Sequence, residues 1–372
     1  MEDMFRFADE LGPVKVLHIS MPHVGRPVGL KAVVAVDNTA CGPAIGGVRM
    51  APDVTAEEAC RLARAMTLKN AAAGLAHGGG KSVIFADPKM PSGDKEQLIR
   101  AFATAIAGLT DYIPGPDMGT DELAMGWVHD EIGRAVGLPR ELGGIPLDEL
   151  GATGFGLAAA IDVAAEAIGL KLKGARIAIQ GFGAVGKHAA RFLAQKGCVL
   201  VAASDSRGTV ISADGLDIAA LVSLKDSGKS VIDFPQGEKT DTEGIIDVPC
   251  DIWIPAARPD VLTKENAGRI QARIVAQGAN IPCTADAEAN LEARGVLILP
   301  DFVVNAGGVI CAAAEYHGSS ESAAFATIEE KLRKNTSLTI EKSRRSRIST
   351  REAATALAMD RIRNAEKARR WR

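Results

Sequence analysis

The sequence predicts an α/β protein in two domains. Strand-like and helix-like stretches alternate from about residue 175 to 300, the pattern of βαβ units and a parallel sheet. A glycine fingerprint, Gly181-Phe182-Gly183-Ala184-Val185-Gly186, stands between such a strand and such a helix. The 372 residues also exceed what one domain usually holds.

Composition narrows the classes. Hydrophobic residues at 47% and charged residues at 24% are ordinary globular usage. A net charge of −3 gives no field that would draw nucleic acid or an anionic membrane. No apolar run reaches a membrane-spanning length, and the acidic start, Met1-Glu2-Asp3-Met4, does not read as a secretory signal. Cysteines 41, 60, 198, 250, 283 and 311 form no CxxC pair, so neither a zinc site of the usual spacing nor a disulfide scaffold is expected. Reduced thiols and a cytoplasmic location fit this usage.

In the first domain, Ala32–Val36 reads as a strand. Thr55-Ala56-Glu57-Glu58 is a capping-box pattern that opens a helix, and Gly74 closes it. After Gly78-Gly79-Gly80, Ser82–Phe85 reads as a strand ended by Asp87-Pro88. A loop rich in Gly and Pro covers 139–154, and an Ala-rich helix follows over 155–168. The second domain opens on the strand Ala175–Ile179. Helix 187–194 and strands Val199–Ala203, Ile252–Pro255, Ile274–Ala276 and Val296–Leu299 follow. Beyond about 325 the chain is helical, broken near 342–349, and its basic end, Arg369-Arg370-Trp371-Arg372, reads as a solvated helix terminus.

The fingerprint has the context of a Rossmann-type, doubly wound dinucleotide-binding domain. Gly181, Gly183 and Gly186 allow a tight turn, close approach to a pyrophosphate, and helix-on-strand packing. The helix start at Ala184 and Val185 offers backbone NH groups and a partial positive charge. Asp205, 24 residues past Gly181, stands where an acid bonds the ribose hydroxyls. A carboxylate there favours NAD over NADP, although Arg207 could meet a 2′-phosphate.

The helix from Thr55 places Ala59, Leu62 and Met66 on one face, and the same spacing continues to Lys69. Arg61 and Arg64 fall off that stripe and read as solvated. An inward lysine is costly unless it meets a charge or loses its proton. Lys81 follows the three glycines, which strip side-chain bulk from around it. The segment is not a P-loop: GxxxxGK[ST] needs glycine where Leu75 stands, and the order of elements is reversed. Asp117 and Asp121 lie in a Pro/Gly-rich stretch before a helix, where either could cap. A Tyr-x-x-x-Lys reductase is excluded, since four residues after Tyr112 and Tyr316 stand Pro116 and Ser320. A lysine-based site with an acid partner remains, and it suits amine chemistry.

Six motifs occur in order: Gly42–Arg49, Met66–Gly74, Gly78–Lys81, Pro116–Thr120, Gly151–Gly154 and Asn305–Val309. Together they resemble the glutamate/leucine/phenylalanine/valine dehydrogenases over nearly the whole chain. The resemblance implies reversible oxidative deamination of an L-amino acid to a 2-oxo acid and ammonia with a nicotinamide cofactor and no metal. It implies a substrate and oligomerisation domain over 1–140, a Rossmann domain over 141–334, and C-terminal helices (335–372) returning to the first. It implies that Lys81 and Asp117 are catalytic, that Lys69 binds the α-carboxylate, and that Gly46 and Gly47 let backbone close on the substrate. Thr153, Asn305, Ala256, Ala257 and Asn280 would line the cofactor, and Ile45, Val309 and Ala312 the substrate. A homo-oligomer is expected.

The glutamate enzymes carry a lysine where Ile45 stands and a serine where Ala312 stands. Both differences remove partners for a side-chain carboxylate, so an apolar substrate of the leucine, valine or isoleucine type is expected. The alternatives are a glutamate dehydrogenase using another base, such as Arg26 or Lys31, and a non-catalytic nucleotide-binding paralogue.

Overall fold

A computed structural model describes residues 6–22 and 29–369. Residues 1–4, Arg26 and 370–372, which the sequence reading names, lie outside them. Contacts divide the chain into two compact units. One holds Met1–Pro146, Val309–Ala324 and Ala356–Arg372; the other holds Leu147–Gly308 and Phe325–Thr355.

The first unit contains β1 (Lys15–Met21), β2 (Leu30–Asn38), β3 (Ala44–Ala51), α1 (Ala56–Ala72), β4 (Gly78–Phe85), α2 (Ser92–Ala105), β5 (Tyr112–Pro116) and α3 (Glu122–Ile132). Its sheet runs β1-β2-β4-β3-β5. β2 is antiparallel to β1 and β4, whereas β3 is parallel to β4 and β5. Alternation gives β4 two faces. Ile84 joins Leu98 and Phe102 of α2 and Met125 and Val128 of α3 in one core. Val83 joins Ala59, Cys60 and Ala63 of α1 in another. Lys81, an even number of residues from Val83, therefore faces the α1 side.

Four sequence expectations are corrected here. The triple glycine is not a bend before a strand but the first part of β4 itself. A Cβ built on Gly79 would fall 2.0 Å from the Thr67 amide nitrogen, and one on Gly80 2.8 Å from the Tyr112 ring. Packing too close for a side chain selects glycine. Second, the stretch from Tyr112 is a strand. Proline is tolerated because β5 is an edge, where a missing NH breaks no ladder. Third, the buried stripe of α1 runs through Ala59, Cys60, Ala63, Thr67 and Asn70, leaving Leu62, Met66 and Lys69 half-buried. Arg64 is not solvated. Its guanidinium spans Asp9 and the buried Asp37, donating to Asp37 at 2.9 and 3.0 Å. Thr55 caps α1 by accepting from the Glu58 NH, as the capping pattern predicts.

The second unit contains α4 (Leu147–Leu150), α5 (Ala152–Ala167), β6 (Arg176–Gln180), α6 (Ala184–Gln195), β7 (Val199–Asp205), β8 (Gly208–Ile211), α7 (Ile218–Asp226), β9 (Glu238–Thr240), β10 (Ile252–Pro255), β11 (Ile274–Ala276), α8 (Ala285–Ala293), β12 (Leu297–Leu299) and α9 (Asp301–Val304). Then α10 (Gly307–Tyr316), α11 (Glu321–Ser346) and α12 (Thr350–Lys367) continue the chain. The sheet order is β12-β11-β10-β6-β7-β8-β9, parallel from β12 to β7, with β8 antiparallel to both β7 and β9. The chain leaves β6 toward β7 and later returns to β10 on β6's other side. β6 and β10 thus flank a topological switch point, where open α/β sheets bind ligands. The break between α11 and α12 falls at 347–349, with Arg347 at φ 53°. No helix among the described residues is long and apolar enough to cross a membrane.

Candidate active site

In the first unit, Lys81 is buried and its ammonium forms an ion pair with Asp117 Oδ2. The register explains the meeting. Lys81 lies on β4, β3 is its parallel neighbour, and β5 lies beyond β3 with Asp117 just past its end. Between Lys81 and Asp117 the sheet carries Gly47, where a built Cβ would fall 2.7 Å from Asp117 Oδ2. Glycine there is the condition for the carboxylate to lie over the strand. A Cβ on Gly46 would strike the Gly80 carbonyl oxygen.

Arg49, two residues along β3 on the Gly47 face, orders the acid. It donates to Glu58 Oε1 at 2.5 Å and to Asp117 Oδ1 at 3.3 Å. The Met118 NH donates to Asp117 Oδ1 at 2.6 Å, and the Thr120 hydroxyl accepts from the Asp117 NH at 3.0 Å. Asp121, in contrast, caps α3 by accepting from the Ala124 NH. Burial pushes the Lys81 ammonium down to about 7; Arg49 and Lys69 push the same way, and Glu58 opposes. A lysine so placed exchanges a proton at neutral pH.

Ile45 is buried and shares the Lys81 face, paired across to Gly79. Lys31 is exposed and lies on β2 four residues from Ala35, the partner of Lys81. That is about 13 Å of strand. Val309 and Ala312 lie on α10, the latter buried.

The second unit collects backbone rather than charge. Gly181 has φ +94°, and a Cβ there would fall 2.6 Å from Ala257 Cβ. A Cβ on Gly186 would fall 2.1 Å from the Gly181 oxygen. Around Gly183, the N-cap of α6, nothing lies within 4 Å of a built Cβ. Two of the three glycines are thus demanded by the protein's own packing, while the third faces open space beside a helix N-terminus without a side-chain cap. Such a cradle fits a pyrophosphate. Ala256 donates its NH to the Gln180 oxygen at 2.7 Å, closing β10 onto β6. Asn305 donates to Asn280 Oδ1 at 2.9 Å, yet its own Oδ1 is buried with no partner, as is Gln180 Oε1. Buried acceptors left open suit an incoming donor, such as a carboxamide or hydroxyl. Thr153 lies in the first turn of α5, its hydroxyl 3.2 Å from a Cβ built on Gly308. These residues fit a dinucleotide.

Asp205 departs from the simple ribose reading. Its Oδ1 accepts from the Arg207 NH at 3.0 Å and the Ser230 hydroxyl at 2.7 Å. Its Oδ2 accepts from Lys225 Nζ at 2.7 Å and the Val231 NH at 2.9 Å. Four donors fill the acceptor capacity of a carboxylate. Burial opposes its charge, but Lys225 and the other donors prevail and hold its carboxyl down at about 2.

Family models match both parts of the chain: a Glu/Leu/Phe/Val dehydrogenase dimerisation domain over residues 13–134, and a glutamate/leucine/phenylalanine/valine dehydrogenase domain over 143–370. The chain belongs to this family. It is 40% identical over 357 residues to a glutamate dehydrogenase of Aeropyrum pernix, covering 90% of this chain and 85% of that one. An NADP-specific glutamate dehydrogenase of Saccharolobus shibatae is 35% identical over 381 residues, covering 96% and 90%. Among solved structures, the hetero-hexameric glutamate dehydrogenase of Thermus thermophilus in its leucine-bound form matches with a TM-score of 0.85 and 30% identity, covering 97% and 91%.

As a member of the glutamate/leucine/phenylalanine/valine dehydrogenases, the chain is an NAD(P)-dependent oxidoreductase acting on the CH–NH2 group of amino acids. The sequence reading of this dehydrogenase gave no role to Arg49 or, beyond the cap, to Glu58. The available signal was period: Arg49 is two residues from Gly47 in a strand and so shares its face. Among the described residues no cluster of His, Cys, Asp or Glu could hold a metal.

Proposed function

We propose that this dehydrogenase catalyses reversible oxidative deamination with Lys81 and Asp117 as its acid–base pair. The observation that carries the reading is the buried lysine, lowered to about 7, in contact with one carboxylate. Asp117 takes a proton from the substrate ammonium, leaving the amine that can give up its α-hydrogen. A nicotinamide cofactor, when bound, would supply the acceptor for that hydrogen as hydride. Lys81 then removes a proton from the water that adds to the imine carbon and passes it to solvent; Asp117 returns a proton to the nitrogen, and the C–N bond breaks as the new hydroxyl gives its proton to Lys81. The products are a 2-oxo acid and ammonia. Lys69 holds the substrate α-carboxylate, Gly46 and Gly47 admit the substrate to the backbone, and Thr153, Ala256, Ala257, Asn280 and Asn305 line the cofactor.

The relatives support L-glutamate as the substrate, since the two curated proteins compared above both bear that name over 85% or more of their length. A second reading rests on one observation. Ile45 presents a buried aliphatic side chain on the face of Lys81, and a glutamate carboxylate beside it would lose its hydration without a partner. That reading takes an aliphatic amino acid, with Val309 and Ala312 as further apolar wall. A panel of L-amino acids followed by NADH or NADPH absorbance separates the two. Glutamate turnover above leucine, valine and isoleucine upholds the first, the reverse order the second, and no turnover by any amino acid overturns both.

For the cofactor, the reading is NAD as the preferred form with NADP tolerated, because Lys225 offsets the charge of Asp205. Assembly as a homo-oligomer is part of the same proposal, supported by the match to a dimerisation-domain model.

A further inference from the structure

Besides Arg347, two residues of the second unit hold backbone conformations that side chains rarely adopt, Asp260 at φ 52° and Ile281 at φ 43°. Ile281 is β-branched and precedes Pro282, so the left-handed region is doubly unfavourable for it. The two residues are joined, the Asp260 NH donating to the Ile281 oxygen at 3.0 Å. They sit in the loops that follow β10 and β11, at the carboxyl ends of parallel strands. Strain of this kind persists only where surrounding contacts over-determine it, and it gathers at binding sites.

The contacts that over-determine it lead to Arg351. The Ile281 NH donates to Asp301 Oδ2 at 2.8 Å, and Asp301 Oδ1 accepts from Arg351 Nη2 at 3.0 Å. Arg351 also grips Glu288 through Nε and Nη2, both at 2.7 Å, and donates to Gln277 Oε1 at 3.1 Å. Asp301, Glu288 and Gln277 are all buried. The Asn305 NH donates to the Asp301 oxygen at 2.9 Å, and Asn305 Nδ2 reaches Asn280, the neighbour of Ile281, also at 2.9 Å. One guanidinium thus fixes the Asp301 carboxylate that holds the strained turn, and the backbone oxygen of the same residue holds Asn305 at the end of α9.

We infer that Arg351 is a positioning residue for the cofactor: through Asp301 it holds the 279–282 loop in its strained form, which sets Asn280 and Asn305 for the nicotinamide end of the dinucleotide. The inference rests on the cofactor reading given under Proposed function.

Glycine adopts φ near +43° without strain, which supplies the test. Arg351→Lys keeps the charge and loses the fork that reaches three acceptors at once. In the otherwise natural chain it should raise the NAD(P)H dissociation constant, read by fluorescence titration, about tenfold. In an Ile281→Gly background the same change should raise it no more than about threefold, because the turn no longer needs holding. A purely structural arginine would lower the melting temperature equally in both backgrounds and weaken binding equally. An equal binding loss in the two backgrounds overturns the inference. If Arg351→Lys does not fold, Asp301→Asn in the same two backgrounds gives the same comparison. Natural protein that binds neither NADH nor NADPH overturns the cofactor reading and this one together; binding with additive variants overturns this one alone.

Discussion

The first unit's lysine–carboxylate pair and the second unit's glycine turn use the same tool, a missing side chain, for opposite ends. On β3 and β4 the glycines give space to other parts of the protein: Thr67 against Gly79, Tyr112 against Gly80, Asp117 against Gly47. At the second turn Gly181 and Gly186 do likewise, but Gly183 gives its space to nothing in the chain. A glycine whose absent side chain is already replaced by protein reports packing. Gly183, which opens onto empty space at the carboxyl end of a parallel strand beside a helix start, leaves room for a ligand. Charge divides the same way. The first unit buries a lysine against a carboxylate, while the second offers NH groups and two open buried acceptors.

The largest effect is expected at the charged pair. Lys81→Ala should lower kcat/KM about 10³- to 10⁴-fold and leave NADH binding within about threefold. Absorbance kinetics beside fluorescence titration test the split, and equal loss of binding and rate would remove Lys81 from the chemistry. Its pH behaviour sharpens the point. In the proposed mechanism the deprotonated amine is the base, so deamination should rise through pH about 7 and then level. Stability follows the same sign. Between about 7 and the ordinary 10.5 the unfolded chain holds a proton that the folded chain does not. Lys81 therefore costs stability fully below 7, and the cost fades as pH rises toward 10.5. Urea melts of the natural chain and Lys81→Met at pH 6.5 and 9 should converge at the higher pH.

Next is Gly47→Ala. A methyl group there must displace Asp117, so rate should fall about 100-fold while the fold loses only about 1–3 kcal/mol. Rate retained within twofold would show that Asp117 need not lie over β3.

How much of this was legible in sequence depended on whether a residue's meaning was local. The Gly181 fingerprint, the Thr55 cap and the parallel order of the second sheet were readable because periodicity and turn chemistry are local. β5 was not, because its prolines read as loop until the sheet order makes it an edge. The α1 stripe was misread because alanine, threonine and asparagine fill the buried face, where close approach to β4 leaves no room for leucine. Arg64 was misread for a related reason. Its partners Asp9 and Asp37 are distant in sequence and adjacent only through the sheet. Three of the four partners of Asp205 lie some 20–26 residues on, beyond any motif's reach.

The second unit's glycines allow a smaller and cleaner contrast. Gly183→Ala adds a methyl to open space at an ordinary φ of −91°, so the melting temperature should hold while the cofactor KM rises about tenfold. Gly186→Ala drives a methyl to 2.1 Å from a backbone oxygen and should instead destabilise by about 1–3 kcal/mol. If both variants lose stability alike, Gly183 is a packing glycine and the argument from open space fails.

The smallest effect concerns the charge at the end of β7. Asp205 is filled by donors, and Lys225 at 2.7 Å offsets most of its field. An incoming 2′-phosphate therefore meets a nearly neutral pair instead of a bare carboxylate. Lys225→Met removes the cation, keeps the length of the stem, and exposes the carboxylate's charge to whatever lies at the ribose. The ratio of kcat/KM for NAD over NADP should then rise about three- to tenfold, almost wholly through loss with NADP, and 0.5 M salt should shrink the change. Steady-state kinetics with both cofactors decide it. A ratio that stays level would mean that Asp205 is only a brace between β7 and the segment at Ser230, and that discrimination lies elsewhere on the turn.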